Sequence, residues 1–130
     1  MQARYYTLAE AQDALPRVKA LMAEVQAARE AIKRLRPEAW PAMKNAVRNG
    51  GNVQAGELYQ TYRGLETGVK GIMAMGVRVA DVDQGLVDFL GRRNGREVYL
   101  CWRHGEEDIV QWHELTAGFA GRQPIDDQIE

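Results

Sequence analysis

The sequence predicts an α+β fold, with a long antiparallel helical hairpin followed by a three- to four-stranded antiparallel β-meander. In the first half, apolar residues recur at alternating spacings of three and four, which places them on one face of a helix. After Gly76 the spacing falls to two, which is typical of half-buried strands. Asn94-Gly95 lies between two such segments and favours a type I′ hairpin turn, because both residues tolerate positive φ.

The length and composition indicate one globular domain over residues 1–130. The helical hairpin is predicted at about 7–76, the meander at about 77–114 and an ordered C-terminal tail at 115–125. Hydrophobic residues make up 45% of the chain and charged residues 27%, which is enough of each for a core and a polar surface. The net charge of −1 argues against nucleic acid or an anionic membrane as a partner.

The sequence predicts a cytoplasmic location. No apolar run approaches the ~20 residues that a membrane helix needs. The N-terminus lacks the basic region and apolar stretch of a signal peptide. The one cysteine, Cys101, cannot form an internal disulfide, so the chain does not resemble a disulfide-stapled secreted domain.

The first helix is predicted to begin after Thr7, because Thr7 and Glu10 form a capping box. Its apolar stripe consists of Leu8, Ala11, Leu15, Val18, Met22, Val25 and Ile32, widened by Leu21, Ala28 and Leu35. Pro16 lies inside this stripe and is expected to kink the helix or restart it, since proline removes a backbone donor. Pro37 is expected to end the helix.

A short helical turn and a flexible loop are expected at residues 37–53, where prolines are followed by Asn49-Gly50-Gly51-Asn52. The apolar stripe of a second long helix consists of Leu58, Tyr62, Leu65, Val69 and Ile72. Gly64, Gly68 and Gly71 lie along one side of that helix. Close packing against the first helix or the sheet is favoured over a flat face for a ligand or partner, because helical glycines usually permit close approach.

Four strands are predicted, at residues 77–81, 86–90, 96–103 and 108–114. The Asn94-Gly95 turn sets the register of the central two, and the resulting pairs are Arg93 with Arg96, Phe89 with Leu100, and Asp88 with Cys101. A three-residue loop at Gly105-Glu106-Glu107 gives the next pairs, Leu100 with Trp112 and Trp102 with Val110. A slip of one residue would break this apolar match.

The predicted sheet has two different faces. The face expected to pack on the helices carries Val87, Phe89, Val98, Leu100, Trp102, Val110 and Trp112. The opposite, polar face carries Asp88, Glu97, Tyr99, Cys101, Arg103, Gln111 and His113. The tail at 118–124 is expected to wrap around the domain with Phe119 as its anchor, and the acidic last residues are expected to fray.

Several segments share a pattern with one known family. They are 81–89 (DVDQGLVDF), 95–106 (GREVYLCWRHGE), Trp112-His113-Glu114, 118–124, and at the front 6–11 and Leu15-Pro16. Together they resemble the prokaryotic family called domain of unknown function 2203, over nearly the whole chain and least in residues 37–56. The resemblance implies a small stand-alone bacterial or archaeal protein. It carries over no catalytic residue.

The polar face gathers the candidate site residues, which are Asp88, Tyr99, Cys101, Arg103 and His113. Cys101 is a candidate nucleophile, with His113 as base, Arg103 as the nearby positive charge and Asp88 orienting the imidazole. The same side chains could hold a transition metal, since thiolate, imidazole and carboxylate are its usual ligands. The favoured interpretation is a half-exposed face with cross-strand hydrogen bonds, because free cysteines are mostly structural.

Two charged clusters have simpler interpretations. Arg92, Arg93 and Arg96 form a basic hairpin tip, which is expected to be a solvated turn that discourages edge aggregation. A phosphate or RNA contact there is the less favoured alternative, given the neutral whole. Asp81 and Asp83 are expected to form turns with their own backbone, or to pair with arginines of the sheet.

A homo-oligomer is expected, because strands of ~5 residues span under ~20 Å, whereas the helical arms extend ~30–40 Å. The widened stripe then needs residues 37–53 or a second copy to cover it, and we expect coiled-coil-like packing in a homodimer or higher oligomer. The favoured function is a non-enzymatic interaction or scaffold protein with no firmly implied cofactor. The alternative is a metal- or small-ligand-binding protein, with or without enzymatic activity, that uses Asp88, Cys101 and His113. Convergence of those three side chains within coordination distance discriminates between the two, and the alternative fails if they point apart or are each paired elsewhere.

Overall fold

The computed structural model describes residues 4–49 and 58–130, without the side chains of residues 48 and 49. Within these ranges, three α-helices precede a five-stranded antiparallel sheet. The predicted α+β class is therefore confirmed, while a third helix and an additional strand distinguish the fold from the expected hairpin and three- to four-stranded meander. The flexible loop expected around Gly50-Gly51-Asn52 lies outside the described residues.

Helix α1 (Leu8–Leu35) begins with the predicted capping box. The Thr7 hydroxyl accepts a hydrogen bond from the Glu10 amide at 3.1 Å, and the Glu10 carboxylate accepts one from the Thr7 amide at 2.9 Å. The helix continues through Pro16, so the expected restart there is wrong. The stripe residues from Ala11 to Ile32 are buried in the core, and the helix ends just before Pro37 as predicted.

Helix α2 (Trp40–Asn49) replaces the short helical turn that we expected. A 3-10 turn at Pro37–Ala39 leads into it. Trp40, Met43 and Val47 recur at spacings of three and four and are all buried. Helix α2 therefore covers part of the helical hairpin that the sheet does not reach, which is one of the two coverings anticipated from the sequence.

Helix α3 (Tyr59–Ala74) packs along α1, and its glycines allow a short separation between the two helices. A Cβ atom at Gly68 would lie 2.5 Å from Val25 Cγ2 and 2.8 Å from the Leu21 carbonyl oxygen. At Gly71 it would lie 2.9 Å from the Leu21 side chain. These distances support close helix packing as the reason for the glycines.

The strands β1 (Arg78–Asp81), β2 (Leu86–Arg93), β3 (Arg96–Arg103), β4 (Gln111–Glu114) and β5 (Gln123–Pro124) lie side by side in chain order. Asn94 and Gly95 have φ values of 52° and 77°, as a type I′ turn requires. The predicted pairs Arg93–Arg96, Phe89–Leu100, Asp88–Cys101 and Leu100–Trp112 are all confirmed.

The apolar face of the sheet is buried against the helices, with one exception. Its buried members are Val87, Phe89, Val98, Leu100, Trp102 and Trp112. The prediction for Val110 is wrong, because Val110 is 50% exposed and precedes β4, which begins at Gln111. Ile109 is buried in its place. The strict alternation of a strand does not extend back to this segment, so the period-two pattern misassigned it.

The C-terminal segment is more ordered than expected. The Glu130 amide donates a hydrogen bond to the Arg92 carbonyl at 2.9 Å, and the Leu8 amide donates one to the Glu130 carbonyl at 2.9 Å. The expected fraying is therefore wrong. Phe119 is 37% exposed rather than a buried anchor. The side chains of the tail that pack on the core are Ile125 and Ile129.

Asp83, in the turn between β1 and β2, joins that turn to two helices. Its carboxylate accepts hydrogen bonds from Lys44 at 2.6 Å, and from Arg29 and Trp40 at 2.9 Å each. Burial raises the pKa of Asp83, but these three donors outweigh it and hold the pKa well below its usual range.

Asp81 forms the expected turn, since it accepts a hydrogen bond from the Gln84 amide at 3.1 Å. The alternative of an ion pair with arginines of the sheet is replaced, for Asp83, by ion pairs with Arg29 of α1 and Lys44 of α2.

A helix that spans a membrane must be both long and apolar. None of the helices in residues 4–49 and 58–130 combines the length and the apolarity that crossing a bilayer demands.

The glycine packing makes a prediction about stability. Gly68→Ala should lower the free energy of unfolding by about 1–3 kcal/mol, because the added methyl group collides with α1. Gly64→Ala is the matched control, since its Cβ would lie 3.9 Å from Ala28, and it should raise stability by about 0.5–1 kcal/mol through helix propensity. Urea denaturation followed by circular dichroism measures both. Equal effects of the two substitutions would contradict the packing explanation.

Candidate functional site

Three neighbouring strands bring Asp88, Cys101 and His113 together. Asp88 on β2 is directly opposite Cys101 on β3. His113 on β4 is opposite Tyr99, and therefore diagonal to Cys101. One potential ligand atom from each of the three side chains lies within 4.8 Å of the other two. This is the convergence that discriminates between the two functional hypotheses.

The burial of this cluster differs from the half-exposed face that we expected. Asp88, Cys101 and His113 are only 3%, 1% and 2% exposed. Polar groups removed from water in this way cost free energy unless they have partners. The cluster is therefore an internal polar site rather than part of a solvated face.

The two ring nitrogens of His113 both have partners. Nδ1 lies 2.7 Å from the Glu114 carbonyl oxygen, which can only accept, so Nδ1 carries a hydrogen and donates it. Nε2 lies 2.9 Å from Asp88 Oδ1. Because a neutral imidazole has one N–H, and Nδ1 uses it toward Glu114, the Nε2 lone pair of the neutral ring faces Asp88 Oδ1. A nitrogen donor and a carboxylate oxygen thus meet in the place where a cation could bind.

Cys101 is in an unfavourable environment for a nucleophile. Burial, followed by the charge of Asp88, raises the pKa of its thiol to about 12. Both nitrogens of His113 are engaged by Glu114 and Asp88, so neither is directed at the thiol as a base. A covalent mechanism needs a thiolate, and this arrangement keeps the thiol protonated beside the Asp88 carboxylate.

Arg78 on β1 is a residue of the site that the sequence reasoning missed. Its guanidinium lies 3.6 Å from Asp88 Oδ2 and 5.2 Å from the centre of the Tyr99 ring. Arg78 is opposite Asp88 in the β1–β2 pairing. The register of β1 would have revealed this contact, but the turn before β2 contains no hairpin signal comparable to Asn94-Gly95, and the pairing is interrupted near Asp81.

The other two predicted site residues have separate positions. The Tyr99 ring lies 5.6 Å from the His113 ring, so Tyr99 borders the cluster. Arg103 is exposed, and its guanidinium lies 5.6 Å from the centre of the Phe119 ring. The structure therefore brings Tyr99 to the cluster, whereas the Arg103 side chain at the end of β3 contacts Phe119 of the tail instead.

A pocket of about 320 Å³ opens above the cluster. Its lining residues are Arg78, Ala80, Asp81, Gln84, Leu86, Asp88, Cys101, His113, Leu115, Thr116, Gly118 and Phe119. Leu115 and Phe119 are exposed, whereas the three cluster residues are buried. The cluster therefore forms the inner end of the pocket, and the segment after β4 forms part of its mouth.

The arginines of the basic hairpin tip are separated by their own partners. Arg93 pairs with Asp126 at 2.7 Å, and Arg96 pairs with Glu114 at 3.0 Å. Arg92 lies over the Tyr5 ring, 3.9 Å from its centre. The tip is thus tied to the terminal segments and to β4, and its charges do not converge on one point.

The fold and this site define an α+β protein with a buried Asp-Cys-His cluster at the end of a surface pocket. The chain belongs to the family described as "Uncharacterized conserved protein (DUF2203)", whose model matches residues 4–125. The resemblance noted in the sequence is thereby confirmed. Searches of curated proteins and of solved structures found no match to the chain.

The environment of Cys101 makes a prediction about its reactivity. In the metal-free protein, a disulfide reagent such as DTNB at about pH 8 should modify Cys101 at least about a hundredfold more slowly than an exposed cysteine, because the thiol is buried and protonated. Unfolding in guanidinium should abolish the difference. The double variant Cys101→Ala/Ala120→Cys, with its thiol on the exposed tail, provides the reference rate. A native rate equal to that reference would contradict the assigned environment.

Proposed function

We propose that the protein binds a divalent transition metal, with Zn²⁺ as the first candidate, through Asp88, Cys101 and His113. The observation that carries this proposal is the convergence of one carboxylate, one thiol and one imidazole within 4.8 Å in a buried site. Zn²⁺ and similar cations prefer this set of sulfur, nitrogen and oxygen ligands. Each ligand comes from a different strand, so the sheet itself sets their separation.

The surroundings of the three ligands support the proposal. Metal-binding histidines almost always donate their second ring N–H to a carbonyl or carboxylate, and His113 Nδ1 donates to the Glu114 carbonyl. This bond leaves the Nε2 lone pair facing Asp88 Oδ1, at 2.9 Å. Arg78 lies beside the second oxygen of Asp88, at 3.6 Å from Oδ2, which leaves Oδ1 for the metal.

Metal binding has to displace the proton of the Cys101 thiol. Removing a proton from a thiol whose pKa is about 12 costs about 7 kcal/mol at pH 7. In zinc-finger peptides, whose sites have four protein ligands, Zn²⁺ binding provides about 10–16 kcal/mol at pH 7, and that value already includes the loss of ordinary thiol protons. The three ligands here should therefore bind Zn²⁺ more weakly than a zinc finger does, and more tightly as the pH rises.

Three protein ligands leave one side of a tetrahedral metal open. Structural zinc sites are closed by four protein ligands, whereas sites that exchange water or substrate keep one position free. The pocket of about 320 Å³ is lined by all three ligand residues and provides room for such a further ligand. The proposed site is therefore one that binds a further ligand rather than one that only stabilises the fold.

The proposal predicts one Zn²⁺ per chain. Untagged protein should be titrated with Zn²⁺ by calorimetry, in buffers that differ in ionisation enthalpy. About one proton, that of the Cys101 thiol, should be released per metal, so the apparent association constant should rise about tenfold per pH unit near neutrality. Elemental analysis of the protein as purified provides the stoichiometry.

Variants identify the ligands in that experiment. Cys101→Ala and His113→Ala should each weaken Zn²⁺ binding by at least about a hundredfold, because each removes one of three ligands. His104→Ala removes the other histidine of the chain, which lies outside the cluster, and should bind like the unmodified protein. No stoichiometric metal, or equal loss in all three variants, would refute the proposal.

We also propose that the chain forms a homo-oligomer through its helices. A groove between α1 and α3 supports this, and its lining is short or polar: Glu24, Ala27, Ala28, Gln60, Thr61, Arg63, Gly64 and Thr67. Small side chains permit a second helix to approach closely. The widened stripe of α1 needs less cover from a second copy than the sequence suggested, because α2 already covers part of the hairpin.

Light scattering at micromolar concentration tests the oligomer. We expect a dimer or larger species, and Ala27→Glu in the groove should dissociate it by burying an unpaired charge. Ala42→Glu, on the exposed side of α2, is the control and should leave the assembly intact. A monodisperse monomer of the unmodified chain would refute this second proposal.

A further inference from the structure

We infer that the pocket above the proposed metal binds a small organic carboxylate. The carboxylate oxygens would face the metal and Arg78, and the apolar part of the ligand would lie against Leu115 and Phe119. This inference rests on the proposed metal site. A volume of about 320 Å³ is at the lower end of the range for ligand pockets, which favours a small molecule. The two ends of the pocket differ in chemistry, and this difference defines the class of ligand.

Arg78 provides the donor for an anion. The distance of 3.6 Å to Asp88 exceeds that of a charge-assisted hydrogen bond, and its guanidinium finds no hydrogen-bond acceptor among the residues that the structure describes. Its side chain is 52% exposed. The Tyr99 ring, 5.2 Å away, supports the guanidinium by a cation–π contact. The N–H groups of Arg78 are therefore positioned at the pocket and available to a carboxylate.

The charges of the metal-loaded site favour an anion next to Arg78. The two positive charges of Zn²⁺ are balanced by the Asp88 carboxylate and the Cys101 thiolate, which leaves Arg78 without a full counter-charge. The other carboxylate of the lining, Asp81, accepts hydrogen bonds from the Gln84 amide and side chain at 3.1 and 3.3 Å. Asp81 is thus engaged by its own turn.

The mouth of the pocket is apolar. Leu115 and Phe119 are 40% and 37% exposed, and both line it. Phe119 is held by the guanidinium groups of Arg103 and Arg122, which lie 5.6 and 4.9 Å from its ring centre. A ligand with an apolar body would bury this surface, whereas an inorganic anion would leave it in water. The pocket therefore matches a carboxylate that carries an apolar group, such as benzoate.

The experiment uses the intact chain loaded with Co²⁺, whose visible spectrum reports the coordination of the metal. Benzoate should change the spectrum saturably, and inorganic phosphate should bind at least about tenfold more weakly. Arg78→Gln and Phe119→Ala should each weaken benzoate binding about tenfold. Arg78→Lys should recover part of the affinity. Arg17→Gln, an exposed arginine on α1 that lies outside both the pocket and the helix groove, is the matched control and should have no effect.

The outcomes separate the two proposals. Absence of a Co²⁺ spectrum before benzoate is added would overturn the proposed metal site, and this inference with it. A normal Co²⁺ spectrum that benzoate leaves unchanged would overturn the carboxylate alone. Equal binding of phosphate and benzoate, with no effect of Phe119→Ala, would also overturn it. Arg78 contacts Asp88, so the Arg78→Gln result counts only if this variant has the same Co²⁺ spectrum as the unmodified protein before benzoate is added. If its spectrum differs, Phe119→Ala tests the pocket independently.

Discussion

The register of the β2–β3 hairpin is the constraint on which the rest of the structure depends. The Asn94-Gly95 turn, with positive φ at both residues, allows one pairing of the two strands. That pairing places Phe89 and Leu100 on the helix side and Asp88 beside Cys101 on the other. Because side chains alternate along a strand, a slip of one residue would move the apolar set out of the core and separate the polar cluster.

The second face of the sheet shows how buried polar groups are accommodated. Asp88 and His113 satisfy each other, and the Glu114 carbonyl accepts the remaining His113 hydrogen. Burial without such partners would cost several kcal/mol. The cluster nevertheless holds a protonated thiol beside an imidazole and a carboxylate, and a cation of high affinity would replace the thiol proton. Its stability in the metal-free state and its proposed binding activity thus have the same physical origin.

The helices support the sheet through two different kinds of contact. Gly68 brings α3 so close to α1 that a methyl group would collide with Val25. Asp83 connects the β1–β2 turn to both α1 and α2 through Arg29, Lys44 and Trp40. The first contact depends on shape and joins the two helices. The second depends on charge and holds the turn that leads into β2 and Asp88.

Local patterns in the sequence determined the helix start at Thr7, the hairpin turn and the strand register that places Asp88 opposite Cys101. These features depend on neighbouring residues and on alternation, which are visible in a single chain. The length of α2, the inward position of Ile109 and the ordering of Glu130 were decided by tertiary contacts, since each depends on a surface formed by distant segments. Tertiary contacts also decided the burial of Asp88, Cys101 and His113, the approach of Arg78 and the pocket above them. Sequence patterns assign a residue to a face of a sheet, whereas the rest of the fold decides whether that face is exposed to water.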